Sequence, residues 1–238
     1  MWIRRLVETV ARKAPREMDT RRCLILAPHQ DDEVLGCGGT IARKVRKGTQ
    51  VSIAFMTDGR RGVPAAAEEA RILREGEALD AAEILGVPRA RLAFLRYEDR
   101  RLSEHVDEAT QAVRQMVSAL GVEELFVPYR KDFHPDHIAT WQIGRASCPP
   151  GGRLYEYPIW YGPWIWNRLR GWSRVAAASQ LADSVRGVKV CVADVAAIKR
   201  QALAAYRSQL TEFEPLGPWG SRFLEGFSGS YEVFFVHR

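Results

Sequence analysis

Short apolar runs alternate along the chain with longer stretches whose apolar positions recur at helical spacing. Cys23-Leu24-Ile25-Leu26-Ala27 is uninterrupted and closed by Pro28, the pattern of a strand buried on both faces. Thr40 to Lys47 reads as a helix stopped by Gly48. Val51 to Met56 repeats the strand pattern, and Thr57-Asp58-Gly59 follows as a turn. Ala65 to Leu85 is rich in helix formers, with Ile72, Leu79, Ile84 and Leu85 as apolar positions and Gly86 as a stop. Leu92 to Leu95 predicts a third strand. Val106 to Leu120 predicts a helix stopped by Gly121, and Leu125 to Val127 a fourth strand ending at Pro128. Strand and helix in this rhythm predict an α/β fold, Rossmann-like, with a mostly parallel sheet and helices on both faces.

The ends of the chain read differently. Residues 1–20 predict an amphipathic arm, with Trp2, Ile3, Leu6, Val7 and Val10 near helical spacing and Arg4, Arg5, Arg12 and Lys13 between them. Such an arm packs on the flank of its own domain, the commoner case, or rests on a membrane surface. After Pro149-Pro150-Gly151-Gly152 the pattern loosens. Leu154–Tyr157 predicts a strand, Val188–Val192 another, Ala193–Gln209 a helix and Tyr231–Val236 a terminal strand. Between them, Trp160, Trp164, Trp166 and Trp172 mark a tryptophan-rich stretch suited to core or lid packing, or to a sugar-stacking or lipid-facing wall. The break near residue 150 reads as a loop, so residues 21–238 are expected to form one domain.

Composition narrows this picture rather than changing it. The 238 residues are 46% hydrophobic and 27% charged, which is globular composition. No run nears the ~18 apolar residues of a membrane span, and the start lacks a secretory pattern. Four separated cysteines without a C-x-x-C pair argue against a disulfide scaffold, so a cytoplasmic setting is expected, with contact at the inner membrane surface if the arm binds lipid. The formal charge of +6 comes from scattered Arg and Lys with no nucleic-acid signature, so no nucleic-acid partner is expected.

The chemistry collects at two strand ends. Pro28-His29-Gln30-Asp31-Asp32-Glu33 follows the first strand, and His134-Pro135-Asp136-His137 begins six residues beyond the Pro128 that ends the fourth. In open parallel sheets, ligands gather beyond the carboxyl ends of the strands. Three of the five histidines lie in these two loops. Carboxylates this close repel one another in a dry crevice unless a cation sits among them, and His with Asp suits a divalent ion such as zinc. Adjacent aspartates cannot point the same way, so one can ligate while the other acts as base. The same holds for His134 and His137. Gly36-Cys37-Gly38-Gly39 lacks the order of a dinucleotide loop and reads as close packing at a helix start.

Pro28 to Gly39 resembles the first motif of the zinc-dependent N-acetylglucosaminylphosphatidylinositol de-N-acetylase family, the PIG-L or LmbE-like proteins, and His134–His137 resembles the second. Thr57-Asp58-Gly59, Arg74-Glu75-Gly76-Glu77-Ala78, Leu85-Gly86-Val87, Phe94-Leu95 and Tyr206-Arg207-Ser208-Gln209 fall in the expected order. The resemblance implies His29, Asp32 and His137 as metal ligands and Asp31 as general base. It implies His134 as the group that stabilises the oxyanion and protonates the departing amine, and Asp136 as the carboxylate that orients His134. Glu33 reads as helix N-terminal charge or as a partner of the ligands. Two departures stand out. Gln30 replaces a common proline, and Asp132 occupies a position that is tyrosine in some relatives. Gln30 and Arg60 are the expected contacts to substrate.

The resemblance therefore implies a zinc-dependent hydrolase, with iron(II) as the alternative ion, that removes acetyl from an N-acetylglucosamine or N-acetylgalactosamine conjugate. The conjugate is a small molecule, with a glycolipid among the options. Two other readings compete: an amidase or esterase acting on a non-sugar substrate, and a nucleic-acid or membrane-binding module that holds a structural metal.

Overall fold

The computed structural model describes residues 8–9, 11–159, 187–213 and 224–237. Among them, eight strands form one sheet: β1 (Arg12–Lys13), β2 (Cys23–Ala27), β3 (Val51–Thr57), β4 (Leu92–Tyr97), β5 (Glu124–Pro128), β6 (Arg153–Tyr157), β7 (Gly187–Cys191) and β8 (Tyr231–His237). Their order is β1-β7-β8-β6-β5-β2-β3-β4. Every pairing is parallel except the two made by β8. The tryptophan-rich stretch lies outside the described residues.

Every residue of β2, β3 and β5 is buried, which explains why these strands read as apolar runs. Alternate side chains feed two cores. Ile25, Ala27, Ile53 and Phe55 point to one face, where helices α1 (Asp32–Arg46), α2 (Ala67–Leu85) and α5 (Ala196–Ala205) pack. Leu24, Leu26, Ala54 and Met56 point to the other, against α3 (Val106–Leu120) and α4 (Pro135–Ser147). A further short helix, α6 (Arg207–Phe213), follows α5.

The chain winds outward from β2 through β3 to β4, then returns to place β5 on the other side of β2. That reversal leaves a crevice beyond the carboxyl ends of β2 and β5. The register sets Ile25 opposite Phe126, so the two loops that follow these strands leave the sheet side by side.

Three elements differ from the pattern-based expectation. Helix α1 starts at Asp32, not Thr40, and takes in Gly36–Gly39. Glycine is a poor helix former, but here it permits contact: a Cβ on Gly36 would lie 2.3 Å from the Tyr157 ring, and one on Gly39 would lie 2.6 Å from Val192. The buried Glu232 carboxylate accepts the backbone N–H of Gly39 and of Thr40, each at 2.7 Å, and pairs with Lys199 at 2.6 Å. Helix α4 was not anticipated. Its apolar pattern is weak, although Pro135 in the first turn and Asp136 beside it are start signals. The single helix expected over Ala193–Gln209 is instead a 3-10 turn, α5 and α6, parted at Tyr206.

The arm expected over 1–20 is not helical throughout. Arg12 and Lys13 pair with β7, and Arg16–Asp19 is a 3-10 turn. Pro15 restricts Ala14 to extended backbone, which stops any helix there. Residues 1–7 and 10 lie outside the described set.

Candidate active site

The loop after β2 carries His29, Gln30 and Asp31 into the first turn of α1, where Asp32 sits. The loop after β5 ends at His134, which caps α4, and His137 lies in that helix's first turn. The three imidazoles meet: one nitrogen from each of His29, His134 and His137 lies within 4.8 Å of the others. Oδ2 of Asp32 is 3.3 Å from both His29 Nδ1 and His137 Nε2. A cavity of about 250 Å³ opens over this cluster, with Asp31, Arg61, Arg74, Asp99 and Arg100 also on its wall.

The donor set fits a divalent cation. Nε2 of His137 is buried and makes no hydrogen bond, with Asp32 Oδ2 3.3 Å away, so its lone pair is open to coordinate a cation. Burial disfavours charge on His29, yet Asp136, Asp32 and Asp99 hold its pKa well above the ordinary value. Burial likewise opposes charge on His137, while Asp32 and Asp132 push it up to about 9. A pocket that draws protons onto two imidazoles has an excess of negative charge, which a bound cation satisfies as those protons leave. The His134 ring centre lies 4.8 Å from that of His29 and 5.1 Å from that of His137.

Carboxylates behind the ring nitrogens fix their orientation. Asp132 Oδ2 lies 3.0 Å from His137 Nδ1, and its Oδ1 accepts the His134 N–H at 3.0 Å. Asp136 Oδ2 lies 3.1 Å from His29 Nε2 and accepts the Arg100 N–H at 2.7 Å. Asp99 Oδ1 is 3.5 Å from the same His29 nitrogen. The side chain of Asp136 therefore serves His29, not His134 as expected. Its link to His134 is the backbone, whose N–H donates to His134 Nδ1 at 3.3 Å. With Nδ1 accepting, the neutral ring carries its proton on Nε2. Burial, then the charges of His29 and His137, depress the His134 pKa to about 4.

Asp31 is held differently. Its backbone has φ 133°, a strained conformation for a residue with a side chain. The strain is braced by Glu33, whose Oε2 accepts the Asp31 N–H at 3.1 Å and whose Oε1 accepts the Tyr206 hydroxyl. Buried Arg74 donates to the carbonyls of Gln30 at 2.6 Å and Gly59 at 3.0 Å, and lies 3.6 Å from the Asp31 carboxylate. Burial and the neighbouring Asp32 push the Asp31 carboxyl up to about 7.

The two expected substrate contacts lie elsewhere. Gln30 is fully buried, and its amide donates to Thr57 O at 3.0 Å. Arg60 turns onto Asp58, with Nε 2.6 Å from the carboxylate. Neither lines the cavity. Asp99, Asp132, Arg74 and Arg100 were not assigned roles from the sequence. Asp99 lies two residues beyond β4, at the same edge of the sheet, and that position was the available signal.

Fold and site together define an α/β protein with a His/Asp cluster fit for a cation at the switch point of its sheet. The model of the PIG-L family, GlcNAc-PI de-N-acetylase, matches residues 24–148, more than half of the chain, and the chain belongs to that family. It is 31% identical over 246 residues to the 1D-myo-inositol 2-acetamido-2-deoxy-alpha-D-glucopyranoside deacetylase of Nocardia farcinica, covering 79% of this chain and 80% of that protein. It is 27% identical over 130 residues to the uncharacterized deacetylase YaiS of Escherichia coli, covering 52% of this chain and 66% of that one. The conserved protein TT1542 of Thermus thermophilus superposes with a TM-score of 0.61 at 26% identity, over 91% of this chain and 94% of that one. No described helix is long and apolar enough to cross a membrane.

Proposed function

We propose that this chain removes the acetyl group from an N-acetylated amino-sugar conjugate by metal-assisted hydrolysis. The observation that carries the reading is the convergence of His29, His134 and His137 beside Asp31 and Asp32, in one cavity of a chain of this family. The Nocardia relative, named as a deacetylase of a 2-acetamido sugar, supports the reaction class and the N-acetylglucosamine type of substrate.

His29, Asp32 and His137 are the proposed ligands. Zinc is the proposed ion, with iron(II) as the alternative, because imidazole with one carboxylate suits either. When bound, the ion supplies Lewis acidity toward water and an amide carbonyl. Asp31 takes the proton of the attacking water, steadied by Arg74. His134 donates its Nε2 proton in a hydrogen bond to the carbonyl oxygen as that oxygen gains charge. When the tetrahedral carbon collapses, the C–N bond breaks and the departing nitrogen takes the proton held on Asp31 rather than one from His134, whose depressed pKa leaves it a neutral ring with no surplus proton, so acetate and a free amine leave. Asp136 and Asp132 orient the imidazoles.

The test is release of acetate and amine from a panel of N-acetylglucosaminides and N-acetylgalactosaminides, glycolipids included. Turnover is expected to disappear on chelation and to return with about one equivalent of zinc per chain. Metal-loaded protein that cleaves esters or simple amides but none of these sugars would overturn the reading.

A further inference from the structure

The wall of the cavity holds a cation that the proposed reaction does not use. Two segments border it, residues 58–62 and, from the end of β4 onward, residues 96–101. They carry five arginines, four of which are matched to carboxylates. Arg60 meets Asp58 at 2.6 Å, Arg61 meets Glu98 at 3.1 Å, Arg96 meets Glu75 at 2.8 Å and Arg101 meets Glu104 at 2.7 Å. Among the described residues, the Arg100 guanidinium has no such partner, yet Arg100 lines the cavity beside His29 and Asp31.

The backbone at Arg100 is held in an unfavourable state. Its φ is 69°, in the left-handed region that a residue with a Cβ rarely adopts. The restraint is the Arg100 N–H bond to Asp136 Oδ2 at 2.7 Å, the same oxygen that lies 3.1 Å from His29 Nε2. Strain fixed by the reaction centre itself commonly marks a ligand clamp. An uncommitted guanidinium is a fork of donors for a carboxylate or phosphate.

From this we infer that Arg100 is a specificity-determining residue that reads an anionic group, carboxylate or phosphate, on the part of the conjugate beyond the amino sugar. The inference rests on the deacetylase reading for its sugar, but not for its charge preference.

The experiment uses the metal-loaded full chain and paired N-acetylglucosaminides whose aglycone carries a carboxylate, a phosphate, or the neutral methyl ester of the same carboxylate. Arg100→Gln and Arg100→Lys are compared with the native chain. Binding of the matching free-amine glucosaminides, which needs no turnover, is measured in parallel by calorimetry. The native chain is expected to favour the anionic compounds. Arg100→Gln should raise KM and Kd for them about tenfold or more, the loss of a charge-assisted contact, with kcat and the neutral compound little changed. Arg100→Lys should recover part of the loss, and added salt should shrink the preference. The carboxylate and phosphate arms identify which anion is read. Equal losses on charged and neutral compounds, or no charge preference in the native chain, would overturn the inference. Charge-selective binding without any turnover would leave it standing and sink the deacetylase reading instead.

Discussion

The two loops that build the site reach it in opposite conformational states. The loop after β5 is relaxed: His134 has φ −76° and ψ 129°, and its ring accepts an N–H at the start of α4. The loop after β2 is strained: Asp31 has φ 133°, and no side-chain cap opens α1. One loop spends its key side chain on the fold and so fixes its tautomer. The other leaves its key carboxylate aimed into the cavity at the expense of backbone comfort. A hydrogen-bond donor must be rigid and correctly protonated. A base must be uncommitted until the proton arrives. The contrast in local structure mirrors the division of labour proposed for Asp31 and His134.

Substitutions in the strained loop should break the comparison most strongly. Asp31→Ala is expected to keep its metal while kcat falls about 10²–10⁴-fold. Asp32→Ala is expected to lose the metal itself, so elemental analysis beside turnover separates the two carboxylates. Metal loss from the first variant and retention by the second would exchange their roles. In the relaxed loop, His134→Ala should lower kcat about 10²–10³-fold and cost about 1 kcal/mol of stability through the lost cap. His134→Asn should restore the cap, seen in denaturant melts, without restoring turnover.

Two smaller effects sharpen the contrast. Asp132→Asn should weaken metal affinity about 10–100-fold in competition with a chelator, because the His137 ring loses its charged partner. Asp31→Gly should be inactive yet more stable than the native chain by about 1 kcal/mol, since glycine tolerates the positive φ. A variant no more stable than native would mean that the backbone at residue 31 stores no strain.

Much of this arrangement is legible in the sequence, for identifiable reasons. The central strands are buried on both faces, so their apolar runs could hardly be read otherwise. The His and Asp residues of the two loops follow strands that are neighbours in the sheet, so the crevice at the switch point follows from topology. What was not legible depends on partners distant in sequence. The start of α1 is hidden because its glycines are chosen for contact with Tyr157 and Val192 rather than for helix propensity. Arg60 and Arg100 look alike in the sequence, and only the fold shows that Asp58 occupies the first. Asp136 stands two residues from His134, yet its carboxylate turns to His29, 107 positions away.

The carboxylate of Glu232 within α1 bears on the order in which the molecule assembles. The amides of Gly39 and Thr40 wait for a partner made 193 and 192 residues later. A nascent chain that has completed β2 and α1 therefore leaves these two donors to water or to carbonyls of the preceding turn until β8 docks. Protection of these two amides against hydrogen exchange would time the arrival of the C-terminal strand, and with it the moment when the helix beginning at Asp32 becomes rigid enough to grip an ion.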